Sequence, residues 1–98
     1  MKHPISNLLK VFDSRIRLGI MSALMVNDTL DFNALKELLD LTDGNLASHL
    51  KSLEQKKVIS VTKRFVGRKP RTSYHVTDRG ADLFRKHLEA LEEIIRNQ

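Results

Sequence analysis

The stretch Leu41-Thr42-Asp43-Gly44-Asn45-Leu46-Ala47-Ser48-His49-Leu50-Lys51-Ser52-Leu53-Glu54 decides how the rest of this 98-residue chain is read. Leu46, Leu50 and Leu53 recur at i, i+4 and i+7, the apolar stripe of a helix with one buried face. The period breaks over 41–44. Thr42 has a short side-chain oxygen that accepts from the free backbone donors of a first turn, so a helix is predicted over 43–56. Its outer face carries Asn45, Ser48, His49 and Ser52. Glu and Lys favour an exposed helix more than Asn, Ser or His do. A run of the weaker formers, all hydrogen-bonding, therefore points to a selected use. Upstream, Leu35, Leu38 and Leu39 mark a short amphipathic helix over 33–40, capped by Asp31 or Asn33. Two short helices joined by a tight break form a helix-turn-helix candidate.

Downstream, residues 58–66 are rich in β-branched side chains, with Ile59, Val61 and Phe65 on one parity. Residues 72–77 repeat the pattern, with Tyr74 and Val76 as inward residues. Between them, Gly67-Arg68-Lys69-Pro70-Arg71 reads as a hairpin tip, because Gly67 allows positive φ and Pro70 cannot donate to a ladder. The tip and its shoulders over 63–72 hold Lys63, Arg64, Arg68, Lys69 and Arg71. Blocking edge aggregation requires one or two cations, not five.

The flanks are helical. Ile5, Leu8, Leu9 and Phe12 predict a helix over 5–12, and Ile16, Ile20, Met21 and Leu24 one over 14–26, capped by Asp13 or Ser14. Leu30-Asp31-Phe32 is short enough to be a one-bridge strand. Thr77-Asp78 opens a long last helix reaching about Asn97, with Phe84, Leu88, Leu91 and Ile95 at 4-3-4 spacing. Its apolar side and that of the first helix exceed what so small a domain covers alone. They pack on each other, or they form a dimer interface of Ile5, Leu8, Leu9, Phe12, Phe84, Leu88, Leu91 and Ile95. The dimer is the favoured reading.

Charge placement supports a polyanionic partner. The formal net charge is +5, from 17 basic and 12 acidic residues. Residues 1–42 are neutral and 76–98 carry −1, so the excess sits in 43–75 at +6. The chain lacks cysteine, which excludes disulfides, thiolate chemistry and cysteine-ligated metal, and it fits a cytoplasmic setting. No apolar run spans a membrane, and no signal-peptide core follows the N-terminus. His3, His49, His75 and His87 make no pair at metal-ligand spacing, and His87 reads as a helix-surface or interface histidine. No nucleophile elbow, phosphate-binding loop or paired-carboxylate spacing is present, so no catalytic, cofactor or metal residue is assigned. The length fits one domain over 1–98.

The expected fold is mainly α with a small β-hairpin wing, about five helices and two to three short strands. This order, and the residues from Leu30 to Gly80, resemble the small winged-helix transcriptional regulators of bacteria and archaea in the MarR/ArsR-like group. Four features carry the resemblance. Ser48-x-Leu50 with His49 lies in the capped helix, and Leu53-Glu54 with Lys57-Val58-Ile59 forms its exit. Gly67-Arg68-Lys69-Pro70-Arg71-Thr72-Ser73-Tyr74 makes the wing, and Thr77-Asp78-Arg79-Gly80 opens the final helix. The resemblance implies binding of double-stranded DNA. It does not extend to metal sensing, since the cysteine pairs are missing, nor to the longer helices that enclose a ligand pocket. No effector is assigned. In this reading helix 43–56 enters the major groove, with Thr42, Asn45, Ser48, His49 and Ser52 at bases or phosphates and Lys51 and Lys56 on the backbone. Lys63, Arg64, Arg68, Lys69 and Arg71 reach a flanking minor groove or its phosphates. The alternative is a winged-helix module that docks protein and uses its basic wing for solubility. RNA ranks below both, because few aromatics are available to stack bases.

Overall fold

The computed structural model describes residues 3–98. Four α-helices and three strands follow two short 3₁₀ turns: α1 Arg15–Met25, β1 Leu30–Asp31, α2 Phe32–Leu39, α3 Asp43–Gln55, β2 Ile59–Val66, β3 Lys69–Val76 and α4 Asp78–Arg96. The strands form one antiparallel sheet in the order β1-β3-β2. This is the mainly helical winged-helix arrangement, with a three-stranded sheet and one helix fewer than expected.

Each helix starts on a side-chain oxygen that relieves the free donors of a first turn. Ser14 accepts from the Arg17 N–H, Asp31 from Ala34, Thr42 from Asn45 and Thr77 from Gly80. Of the alternative caps, Ser14 and Asp31 are used. Two helices stop on left-handed residues that are not glycine, Asp40 (φ 52°) and Lys57 (φ 60°). At the end of α3, Lys57 N–H donates to Glu54 O at 2.9 Å and Val58 N–H to Leu53 O at 3.2 Å. At the end of α2, Asp40 and Leu41 repeat the arrangement onto Glu37 and Lys36. Both are Schellman closures, which satisfy the last carbonyls and turn the chain sharply.

The core draws on every helix. Ile20, Met21 and Leu24 of α1 meet Leu35 of α2 and Leu46, Leu50 and Leu53 of α3. Val58 and Ile59 close it from below, together with Phe84 of α4. Phe12 joins them from the N-terminal segment, its ring edge-on to Phe84 with centroids 5.2 Å apart. Such an aromatic pair adds to its area burial through the ring quadrupoles.

The expected helix over 5–12 is instead two 3₁₀ turns, Pro4–Asn7 and Lys10–Phe12, separated by extended backbone at Leu8 and Leu9. The cause is a distant partner. Leu9 N–H donates to His87 Nδ1 at 3.0 Å, so it is withdrawn from any helical ladder. His87 is therefore not a surface histidine. It is 3% exposed and packed against the rings of Phe12 and Phe84. Phe12 and Phe84 lie inside the chain's own core, which removes both from the expected dimer surface. Ile5, Leu88 and Ile95 are exposed, and Leu8, Leu9 and Leu91 are half-buried.

The hairpin differs in extent from the expectation. Val66 pairs with Lys69, so the tip is the two-residue turn Gly67-Arg68, and Lys69, Pro70 and Arg71 belong to β3. Gly67 has φ +67° while Arg68 stays negative, the sign pattern of a type II′ turn, whose twist matches antiparallel strands. A two-residue turn makes Val66–Lys69 the closing hydrogen-bonded rung. Pro70 opposite Phe65 then falls on a rung that needs no donor. Residues 62–71 are all exposed, so Phe65 is not inward as its parity predicted. Consistent with projecting parts, the radius of gyration is 14.8 Å, against about 12.6 Å for a compact chain of this length.

Gly80 packs directly on the backbone: a Cβ there would lie 1.9 Å from Val58 O. Gly80→Ala is expected to destabilise the fold by about 3 kcal/mol or more. By thermal unfolding this lowers the midpoint by more than about 10 °C. His87 yields a second expectation. Burial holds its pKa below the ordinary 6.5, with Asp13 pulling weakly the other way. A lowered pKa means that the folded state binds fewer protons. Stability should be level above pH 6.5 and fall as pH drops below it, read as the unfolding midpoint against pH with the His87 ring titration followed by NMR.

Candidate nucleic-acid interface

α3 buries Leu46, Leu50 and Leu53, and this fixes what its other side presents. Gly44, Asn45, Ala47, Ser48, Lys51 and Gln55 are exposed, and Ser52 is half-buried. The exposed face thus opens with small side chains, over which a flat surface comes close to the helix backbone, and closes with Lys51 and Lys56. Ala47 went unnoticed in the sequence because alanine counts as apolar. One helical step from Leu46, it leaves the buried stripe, and its methyl is a group that meets a thymine methyl well. Thr42 is exposed, and its hydroxyl oxygen accepts the cap bond from Asn45 N–H at 3.2 Å. Asp43, the one acid of the first turn, is paired with Lys36 Nζ at 2.8 Å, so α2 offsets the negative charge at the start of α3.

His49 departs from its expected outward place. It lies on the flank of the apolar stripe, half-buried, and its Nδ1 accepts from Arg17 Nε at 3.0 Å. Arg17 in turn donates through Nη1 to Val11 O at 3.2 Å. Burial and then the Arg17 charge hold the His49 pKa below its ordinary value, so the ring is neutral near pH 7 with its proton on Nε2. His49 is therefore first an orienter of Arg17. The pairing spans α1 and α3, 32 residues apart in the chain, and no local pattern signals it.

The hairpin register divides the wing cations. Arg64, Lys69 and Arg71 share one face, Lys63 lies on the other, and Arg68 occupies the turn. Arg64 stands directly opposite Arg71, a like-charge pair that costs stability across a ladder. Arg71 is 3.7 Å from Asp31, the cap of α2. Among the described residues, Lys63, Arg64, Arg68 and Lys69 have no acidic group within ion-pair distance. Between the wing and the start of α2 runs an open cleft of about 460 Å³, lined by Asp31, Phe32, Asn33, Lys69, Pro70, Arg71 and Thr72. It adds Asn33 to the polar groups beside the wing.

The two surfaces are tied together at the exit of α3. Thr77 Oγ1 donates to Lys57 O at 2.7 Å, Thr77 N–H donates to Val58 O at 3.1 Å, and Arg79 Nε reaches Lys56 O at 3.4 Å. The end of α3, the root of β2 and the start of α4 thus form one hydrogen-bonded block. Among the described residues no group of His, Asp and Glu side chains gathers to hold a metal, and no helix is long and apolar enough to cross a membrane.

Comparison with known proteins places this architecture. The chain is 33% identical over 89 residues to MJ0432 of Methanocaldococcus jannaschii, a protein described as uncharacterized, across 91% of this chain and 97% of that one. It is similar in structure to the transcriptional regulator homologue protein of Pyrococcus horikoshii OT3. That match has a TM-score of 0.88 and 30% identity, covering 98% of this chain and 97% of the other. Two more distant likenesses concern the fold alone. YusO of Bacillus subtilis matches with a TM-score of 0.82 at 19% identity, over 97% of this chain and 67% of that one. A MarR-family protein from Enterococcus faecalis V583 matches with a TM-score of 0.74 at 24% identity, over 94% and 79%. The model of the winged helix DNA-binding domain matches residues 16–95, from the first turn of α1 almost to the end of α4, and the chain belongs to that family.

Proposed function

We propose that the protein is a dimeric transcriptional regulator that reads duplex DNA with α3 in the major groove and its basic wing on the flanking minor groove or backbone. The observation that carries this reading is the pairing of a small, polar, exposed α3 face with a hairpin on which Lys63, Arg64, Arg68 and Lys69 have no acidic partner among the described residues. Arg64 opposite Arg71 is a standing repulsion that folding does not require. A partner with closely spaced negative charges relieves it. Asn45 and Ser48 supply donors and acceptors at base edges, and Asn has the geometry for bidentate pairing with adenine. Lys51, Lys56 and the wing cations hold phosphates, fixing register without reading sequence. Arg17, steadied by His49, joins the phosphate-binding set.

The dimer is drawn from the exposed apolar residues at the two ends of the chain. Ile5 is 62% exposed, Leu88 42% and Ile95 70%, and Leu8 and Leu91 are half-buried. A second copy covering this surface places two α3 helices about 34 Å apart, one duplex turn, so the preferred site is an inverted repeat. Occlusion of a promoter is the simplest output.

An electrophoretic shift with genomic fragments tests the reading. Binding is expected at low salt, with log K falling against log salt at a slope near −5 for about six phosphates. Arg68→Ala with Arg71→Ala should make that slope shallower by about 1 to 2. Absence of any shift at low salt, or a shift indifferent to these substitutions, would favour a protein-docking module instead. The dimer has its own test. Sedimentation equilibrium should give twice the 11.3 kDa chain mass for the wild type and the single mass for Leu88→Glu with Ile95→Glu. A monomeric wild type would remove the inverted-repeat expectation.

A further inference from the structure

We propose that Phe65, backed by Pro70, is a DNA-contacting residue: an apolar pad on the wing that lies against the sugars and base edges of a minor groove while the surrounding cations hold the phosphate rows on either side. This rests on the DNA-binding reading above and adds to it a contact made without charge.

Phe65 is 73% exposed, and the neighbouring Val66 is 52% exposed. Solitary apolar residues on a surface are ordinary. This one is a large aromatic near the end of a projecting hairpin, where nothing among the described residues covers it. The register gives it company. Pro70 is its direct cross-strand partner, on a rung whose side chains stand close together. Lys63 and Thr72 lie two rungs behind on the same face, Arg68 sits in the turn ahead, and Arg64, Lys69 and Arg71 occupy the opposite face. The Phe65 face is therefore an apolar pad with Lys63 behind it and Arg68 in the turn ahead, while three more cations stand on the reverse face of the hairpin.

A partner complementary to that arrangement has an apolar floor between two anionic walls. The minor groove of duplex DNA has this form, and Phe and Pro are among the side chains that enter it, favouring steps that deform readily. Charge alone would be served as well by threonine or lysine at position 65, and neither would leave an aromatic ring in water.

The test measures binding of the full chain to a short, labelled, mixed-sequence duplex across a range of salt concentrations. The wild type is compared with Phe65→Ala, Phe65→Leu and Arg68→Ala. Phe65→Ala should weaken binding about tenfold at every salt concentration while leaving the salt slope unchanged, because losing an apolar contact changes no counterion release. Phe65→Leu should recover most of the affinity, whereas Arg68→Ala should make the slope shallower by about 0.9. Because residue 65 is exposed, the thermal midpoint should not move. Equal affinity of Phe65→Ala and wild type overturns the proposal and leaves the DNA-binding reading standing. A loss accompanied by a shallower slope also overturns it, since Phe65 would then only aim the cations. Failure of the wild type to bind at low salt overturns the DNA-binding reading, and the Phe65 assignment with it. A change of sedimentation coefficient in Phe65→Ala without DNA assigns the ring to contact between copies, and that too overturns the proposal.

Discussion

The carbonyl of Val58 is the point on which three elements converge. It accepts from Thr77 N–H and lies so close to Gly80 that no side chain fits between them. Thr77 completes the knot, capping α4 with the same hydroxyl that donates to Lys57 O. The left-handed turn at Lys57 is what aims the chain into this junction. Without it, α3 would lack its Schellman closure and β2 would leave in another direction. The relation between the α3 face and the wing thus depends on a few backbone groups, and backbone geometry cannot be retuned by repacking side chains.

A second constraint acts at the other end of the molecule. The N-terminal segment is held by a histidine acceptor on α4 and by the Phe12 ring lodged against Phe84. The hydrogen bond needs a neutral ring with a free Nδ1, and burial keeps it so. The strap leaves Ile5 exposed, and Leu88 and Ile95 of α4 are exposed as well.

What the sequence disclosed, and what it hid, divides by range. Thr42 and the leucine stripe set α3 within a residue of its observed bounds, because capping and 3.6-residue periodicity are local. Thr77 is legible for the same reason, while Ser14 and Asp31 are each one of two caps the local pattern allows. Residues 5–12 misled because the deciding partner of Leu9 lies 78 positions away. His49 misled likewise, since helical spacing places it on the outer face while its bond to Arg17 holds it half-buried. Phe65 shows the limit of strand parity. Alternation tells which residues share a face, but not where the strand outruns the core beneath it. Proline is unsuited only to rungs that need a donor, and the two-residue turn puts Pro70 on one that does not. Phe12 and Phe84 carried the right periodicity for a dimer seam. The chain claims them for its own core because their rings meet each other first.

The central claim is that the α3 face and the wing, locked together through Val58 and Thr77, engage one duplex at once. Hydroxyl-radical footprinting combined with methylation interference on a bound genomic fragment addresses it directly. The expected pattern is guanine or adenine interference in a major groove, bordered at fixed phase by protection of the adjoining minor groove, and repeated about one duplex turn away. Protection confined to the backbone with no base interference, or major-groove and minor-groove signals that vary independently of each other, would contradict it.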